Sequence, residues 1–406
     1  MALSGAASLL SVAALVRPGV TRTQFAAGGV PLSQLAAGRV GRRGGIVPRA
    51  CTYSEVSEIT LDSWLEQQDV SPRVSKVITL LGGACMDVAS RIRTASCDSY
   101  SCFNEYGDEQ IAVDLVAEQL MVDALRECEG IAAVSTPLDP LGCLDPTGCY
   151  SEDINLVEQQ ARQQQQRGTA VPSAVPPDLD SLSVCLDPLD GSSIIDTNFA
   201  VGSVFGVWRA PSLLNVTGRG LLAAGTCTYG PRTTLTVGLG IAEGVAEFLL
   251  VGECSPSGRW VLANTYSAIG EGRLFAPGNL RAVTEHPGYA QLIHYWQQNR
   301  YQLRYTGGMV PDVMQLIVKG KGVFCTPAPP DQPGPVRLLH EAVPLAFLIE
   351  KCGGASSDGS VSLLDIPVAG LGQRTQMAVG SAAEVERFNA MVGPQIVTVP
   401  AAAERE

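Results

Sequence analysis

No stretch of eighteen apolar residues occurs in this 406-residue chain, so a membrane-spanning helix is not expected. Histidine is scarce: only His286, His294 and His340 are present, and they read as structural or exposed, because a hard cation would take oxygen instead. Twelve cysteines contain no Cys-x-x-Cys pair, which argues against a structural zinc site. The chain is also too long to be a disulfide scaffold. Basic residues number 28 against 40 acidic ones, a net charge of −12, which argues against a nucleic-acid partner gripped through its phosphates. The first fifty residues lack Lys, Asp and Glu altogether. They carry six arginines, at Arg17, Arg22, Arg39, Arg42, Arg43 and Arg49, and the first carboxylate is Glu55. An Arg-rich, acid-free leader is the profile of an organelle transit peptide, whereas the apolar stretch 9–16 is a weak version of a secretory core. Without residues 1–50 the remainder has 22 basic and 40 acidic residues, a net of −18, which suits a soluble protein of a stroma or matrix.

What is present is ample core. At 46% hydrophobic residues, the length suggests two domains or one large two-part unit. Cys85, Cys227 and Cys352 sit in apolar runs and read as inert core residues. Cys97 and Cys102 have four residues between them, and Cys143 and Cys149 five, in polar, loop-like surroundings.

Ser71-Pro72 opens a helix with a capping hydroxyl and a proline at the first position. Val74, Val77, Ile78, Leu81, Cys85, Val88 and Ile92 then follow a 3.6-residue period, which predicts a helix to about Arg93. A loop over 94–107 carries the first cysteine pair. Asp108 is expected to cap a second helix, with a short strand over 131–134 after it. Residues 137–180 are rich in Gln, Pro and Gly and predict an exposed, partly disordered insertion, with a surface helix over 154–167 as the alternative. Strands are expected over 183–186, 199–208, 220–228, 233–237 and 245–251. Beyond Tyr266 the pattern alternates: helices over 289–300, 310–318, from Pro344 to the Gly353-Gly354 stop, and over 382–391, with strands over 302–305, 323–326 and 376–379. A turn is expected at Ser356-Ser357-Asp358-Gly359. The mixture predicts an α/β (α+β) layered sandwich of two subdomains.

The most informative stretch is Leu186-Asp187-Pro188-Leu189-Asp190-Gly191-Ser192-Ser193. Two carboxylates three positions apart flank a proline-stiffened turn, and hard divalent cations want carboxylate oxygens together with substrate phosphate oxygens. Gly191, Ser192 and Ser193 can turn backbone N–H groups outward at a helix start, where phosphate binds well. A metal seat beside a phosphate cradle suits metal-assisted hydrolysis of a phosphate ester. The bland reading is an ordinary Asp-Gly turn.

The run from Asp187 to Phe199, Gly206-Val207-Trp208, Tyr229 to Thr234, Pro277 to Ala282, Leu303 to Val313 and Arg337-Leu338-Leu339 closely resembles the sugar bisphosphatases. These are the fructose-1,6-bisphosphatase family with its sedoheptulose-1,7-bisphosphatase branch of photosynthetic organisms. The likeness covers roughly 94–134 and 183–389. It implies an α/β/α/β/α layering, with 51–265 as a metal and phosphatase subdomain, 266–395 as a sugar-phosphate-binding subdomain and 396–406 as a tail. It also implies hydrolysis of the 1-phosphate of a sugar bisphosphate, with two or three Mg²⁺ per subunit, in a chloroplast-stroma homodimer. Asp187, the Leu189 carbonyl, Asp190 and Glu341 match the metal ligands. Gly191, Ser192 and Ser193 match the cradle for the scissile phosphate. Asp108 and Asp114 match acidic residues that help activate the attacking water. Asn279, Arg281, Arg304, Tyr305 and Arg337 match the grip on the other phosphate and the sugar. Cys97 and Cys102 match a redox pair that thioredoxin reduces.

The pattern breaks in two places. The family carries Ser-Glu-Glu where this chain has Ser135-Thr136-Pro137, so a metal-binding and a water-holding glutamate are missing, and an Mg²⁺ site depends on ligand charge. Glu152 and Asp153 of the insertion are possible replacements. The family also has a lysine at the position of Pro335, for which Lys319 or Lys321 is a possible substitute. Three readings follow: an active plastid bisphosphatase, a catalytically impaired paralogue that binds sugar phosphate or a partner, and a related phosphatase acting on fructose bisphosphate or an inositol phosphate. The Arg304 to Pro311 block argues against an inositol monophosphatase.

Overall fold

The computed structural model describes residues 58–94, 101–103, 109–137, 180–252, 257–330 and 332–394, with backbone alone for 101–103 and 109–112. Residues 1–50, Cys97, Asp108, Cys143, Cys149, Glu152, Asp153, the surface helix over 154–167 and the tail 396–406 lie outside the described residues, as does the Cys102 side chain.

The expected first long helix is α2 (Pro72–Thr94), after a single turn α1 (Leu61–Leu65). Ser71 accepts from the Val74 N–H at 3.3 Å, the cap its sequence requires. The second helix starts later than expected. Ser101–Phe103 (β1) and Glu109–Ile111 (β2) pair as an antiparallel hairpin, and α3 (Ala112–Arg126) follows. Strand pairing thus occupies positions that local pattern alone gives to a loop and to the first turn of a helix.

A seven-stranded sheet comes next: β3 (Ile131–Ser135), β4 (Leu182–Asp190), β5 (Val201–Arg209), β6 (Leu221–Tyr229), β7 (Thr234–Leu239), β8 (Val245–Val251) and β9 (Arg259–Tyr266), ordered as in the chain. Only β3 and β4 run parallel; every later pair is antiparallel. Strand β4 extends past its expected end at Leu186 to Asp190, through a register break between Asp187 and Asp190. The proline withholds a ladder donor there, and the irregularity re-aims the two carboxylates.

The second sheet has the order β11 (Gln302–Leu303), β10 (Gly270–Pro277), β12 (Lys321–Thr326), β16 (Met377–Gly380), β14 (Ala355–Ser357). The turn expected at 356–359 therefore begins as an edge strand. A third, two-stranded pairing joins β13 (Val336–Arg337) to β15 (Arg374–Thr375). Helices α4 (Pro287–Gln298), α5 (Met309–Lys319), α6 (Val343–Lys351) and α7 (Ala382–Met391) complete the fold.

Three apolar cores separate five layers. The first holds Leu61, Ile78, Leu81 and Leu125 of α1–α3 against Val184, Leu186 and Phe205 of the large sheet. The second lies on that sheet's other face, where Cys185, Val204 and Trp208 meet Val313, Leu316, Leu345 and Phe347 of α5 and α6, which in turn pack on Phe324 and Val379. The third joins the far face of the second sheet, through Phe275 and Val323, to Tyr289, Trp296 and Phe388 of α4 and α7. Along β4, Val184 and Leu186 enter the first core and Cys185 the second, the alternation of a strand buried on both faces. The layering is α/β/α/β/α.

Candidate active site

The site lies where β4 ends. Asp187 is buried, at 8% exposure, and its carboxyl accepts from the Leu189 N–H. The peptide group that provides this N–H is held at its other end, because Ser203 donates its hydroxyl to the Pro188 carbonyl at 2.6 Å and bonds Tyr229 Oη at 2.7 Å. Asp190 closes the strand and reaches across to α5, where the Val310 N–H donates to its Oδ2 at 2.7 Å. Gly191 follows at φ +83°, and a Cβ there would lie 3.3 Å from the Gly308 Cα; the left-handed turn and the close approach both call for glycine. Ser192–Ile194 form a single 3-10 turn whose first internal bond is Ile194 N–H to the Gly191 carbonyl. The Ser192 and Ser193 N–H groups precede that bond in the turn.

Glu341 arrives from about 150 residues further along the chain. It sits in one π-type turn, Leu338–Ala342, that runs directly into α6. Its Oε2 accepts from the Arg337 N–H at 2.9 Å. Burial pushes the Asp187 carboxyl well above the usual carboxylate range, and the charges of Glu341, Asp190 and Asp114 push it further. Burial also raises Asp190, to about 7, with Glu341 and Asp312 adding to the rise while the Val310 and Met309 N–H groups oppose it. Asp114, in the first turn of α3, Asp187, Asp190 and Glu341 thus stand in one electrostatic field. Buried like charges of this kind favour a proton or a cation between them. The donor set is all oxygen, which fits Mg²⁺. Among the described residues no three His, Cys, Asp or Glu side chains already stand as a metal cage. The fit therefore rests on the chemistry of the carboxylates and their mutual repulsion.

Ser135, Thr136 and Pro137 stand beside this point without a carboxylate of their own. Thr136 donates its hydroxyl to Glu118 of α3. A helix carboxylate therefore does reach the strand end, one turn beyond Asp114. Ser135 Oγ bonds His340 Nε2 at 2.9 Å, and Cys185 Sγ donates to the Leu339 carbonyl at 3.2 Å. Burial, with the Arg337 charge behind it, lowers the His340 pKa to about 3, so this histidine is a neutral structural residue, as expected beside a site for a hard cation. His286 likewise caps α4 by accepting from the Tyr289 N–H at 3.2 Å.

Four of the five residues matched to the distal phosphate grip gather at one edge of the second sheet, and the fifth, Arg337, lies apart from them in β13. Strands β10, β11 and β12 run parallel, with Phe275 opposite Leu303 and Pro277 opposite Cys325, so their carboxyl ends lie together. Arg304 and Tyr305 follow β11 and are exposed. Asn279 and Arg281 follow β10; the Asn279 amide donates to the Pro327 carbonyl at 2.9 Å and Arg281 is exposed. Tyr305 stands close enough to Asp190 that the Asp312 and Asp190 charges, after burial, raise its pKa. Asp312, which the motif reading passed over, is fully buried and accepts from the Thr306 and Gly307 N–H groups at 2.8–3.2 Å, fixing the turn that leads into α5. Arg337 is buried and lies beside the metal end, its charge bearing on His340. Lys319 and Lys321 cannot stand in for the lysine missing at Pro335. Lys321 opens β12 and the grip lies past its end at Thr326, about 17 Å away at 3.3 Å per residue. Arg374 is the cation near Pro335, donating to its carbonyl at 3.3 Å.

Comparison with known proteins agrees with this layout. Residues 173–264 match the family model of the fructose-1-6-bisphosphatase N-terminal domain, and residues 269–393 that of its C-terminal domain. The chain is 42% identical over 331 residues to the chloroplastic sedoheptulose-1,7-bisphosphatase of Chlamydomonas reinhardtii, an alignment covering 81% of this chain and 76% of the relative. With the chloroplastic sedoheptulose-1,7-bisphosphatase of Triticum aestivum it shares 41% over 329 residues, covering 81% and 75%. A Toxoplasma gondii crystal structure described as a candidate sedoheptulose-1,7 bisphosphatase superposes with a TM-score of 0.68 at 32% identity, over 83% of this chain and 99% of that one. Leishmania major fructose-1,6-bisphosphatase shares the fold, with a TM-score of 0.67 at 23% identity, over 82% of this chain and 99% of that one. Two family models divided between the two large sheets, together with relatives matched along four-fifths of its length, place the chain in the fructose-1,6-bisphosphatase family of sugar bisphosphatases.

Proposed function

We propose that this protein hydrolyses the 1-phosphate of a sugar bisphosphate, sedoheptulose 1,7-bisphosphate first and fructose 1,6-bisphosphate second, with Mg²⁺, in the chloroplast stroma. The observation that carries the reading is the field shared by Asp187, Asp190 and Glu341 across two distant parts of the chain. Asp187, Asp190 and Glu341, with the Leu189 carbonyl, would hold the divalent cation. Bound there, it would neutralise phosphoryl charge and acidify a water. Gly191, Ser192 and Ser193 offer N–H groups to the phosphate being released. Asp114, and Asp108 by resemblance, orient the attacking water. Arg304, Tyr305, Asn279 and Arg281 take the far phosphate and sugar from the opposite wall, since a guanidinium matches a phosphate fork. Asp190 ties the two walls together through Val310.

The regulatory part of the reading rests on resemblance: thioredoxin reduces a Cys97–Cys102 disulfide, and the active form is a homodimer. One observation favours a second reading, that of a weak or inactive paralogue, because Thr136 and Pro137 bring no carboxylate to the strand end. Phosphate release separates the two. The purified full-length chain, reduced and supplied with Mg²⁺, is expected to release phosphate from sedoheptulose 1,7-bisphosphate, with Asp187→Asn lowering the rate by a factor of 100 or more, on the order of 3 kcal/mol. Equal rates for the chain and Asp187→Asn would retire the first reading in favour of the second.

A further inference from the structure

The geometry points to Ser135 and Cys185 as a paired clamp that positions Glu341 for the cation site. The inference deepens the reading above and rests on it. Ser135 and Cys185 are register partners on the parallel strands β3 and β4. Partners in a ladder present their side chains on the same face. Here that face is the one turned to the second core, to which Cys185 belongs together with Leu338 and Leu339 of the turn before α6. Each partner grips one of two consecutive residues in the turn before Glu341. Cys185 donates its S–H to the Leu339 carbonyl at 3.2 Å, and Ser135 Oγ bonds His340 Nε2 at 2.9 Å. All three side chains are buried: Cys185 and His340 at 0% and Ser135 at 2% exposure.

The consequence is geometrical. Asp187 lies two residues beyond Cys185, on the same face of β4. Glu341 lies one residue beyond His340. Fixing residues 339 and 340 against residues 185 and 135 therefore fixes how far Glu341 reaches toward Asp187. The gripped segment is a single π-type turn, a rare form that occurs mostly as one turn joined to an α-helix and frequently at functional sites. Thr136 and Pro137 bring no carboxylate to the strand end, and the clamp is a connection that β3 makes to the site. Neither residue touches substrate in this account; both are positioning residues. A divalent centre is sensitive to such supports, and their loss typically weakens metal binding 10- to 100-fold.

The test is a Mn²⁺ titration of the full-length chain, with free Mn²⁺ read by electron paramagnetic resonance, alongside melting temperatures with and without the cation. Ser135→Ala, Cys185→Ala and His340→Phe are each expected to raise the Mn²⁺ dissociation constant about 10-fold or more. Cys185→Ser keeps a donor for the Leu339 carbonyl and should return to within about 3-fold of the parent chain. A role in stability alone would lower the melting temperature equally with and without Mn²⁺. The clamp predicts that the Mn²⁺-induced rise in melting temperature shrinks in the alanine variants and recovers in Cys185→Ser. If Cys185→Ala fails to fold, Ser135→Ala and Cys185→Ser carry the comparison. Parent-like affinity in folded Ser135→Ala and His340→Phe would overturn the clamp and leave the active-site reading standing. Absence of saturable Mn²⁺ binding by the parent chain would overturn both.

Discussion

At the scale of the residue, Asp190 shows how one carboxylate serves two masters. Its Oδ2 takes the Val310 N–H at the start of α5, and the same group shares a field with Glu341 and Asp187. Burial and those neighbours raise its pKa to about 7, above the unfolded value of 3.8. A folded carboxyl with a raised pKa holds its proton longer than the unfolded chain does. Between those two values the folded state binds more protons, so stability falls as pH rises. Without divalent cation, the melting temperature is therefore expected to drop between pH 5 and pH 8. Added Mg²⁺ competes with protons for the same oxygens and should raise the melting temperature more at pH 8 than at pH 5. Differential scanning fluorimetry reads both; a Mg²⁺ effect equal at the two pH values, or larger at pH 5, would contradict the shared field. The Asp187-x-x-Asp190-Gly191 spacing was legible in the sequence because two carboxylates, a proline and a glycine leave few alternatives. Glu118 was not legible, because its meeting with Thr136 depends on how α3 packs against β3.

At the scale of the element, the position of α5 decides whether the metal end and the sugar end face each other. Gly202 of β5 stands opposite Asp190 in the ladder, and a Cβ there would come within 2.5 Å of the Val310 side chain. Gly202→Ala is expected to push α5 from the sheet, stretch the Asp190–Val310 bond and cost about 1–3 kcal/mol of stability. Urea unfolding followed by tryptophan fluorescence measures this, and unchanged stability would show that the contact has slack. Helices were the elements best foreseen. The capped, periodic α2 and the helix ending at Gly353-Gly354 carried local signals for both packing face and boundary. The hairpin of β1 with β2 and the edge strand β14 were missed, since their partners lie at distances that local pattern does not reveal. For the same reason β4 ran on to Asp190: pairing with β5 continues past the proline where local propensity predicts a loop.

At the scale of the whole molecule, five layers bring Asp114, Asp187 and Glu341 to one place. The layering was foreshadowed by the strands expected over 199–208 and 220–228 and by the switch to helix–strand alternation after Tyr266. The meeting of Glu341 with Asp187 entered the sequence reading only through family resemblance, because nothing local to residue 341 announces it. The redox expectation also belongs here, as Cys97 lies between α2 and the β1–β2 hairpin that leads into α3 and Asp114. Oxidation should slow phosphate release by the full chain, and Cys97→Ser should make the rate insensitive to oxidant. A Cys97→Ser variant that still responds would remove that pair from regulation.

The central claim is that carboxylates from residues 187, 190 and 341 hold one cation together. A crystal of the protein grown with Mn²⁺, examined at a wavelength where manganese scatters anomalously, tests it most directly. The account predicts an anomalous peak about 2.0–2.3 Å from carboxylate oxygens of Asp187, Asp190 and Glu341 alike. A peak bound by Asp187 and Asp190 with Glu341 pointing away, or none at the end of β4, would contradict it.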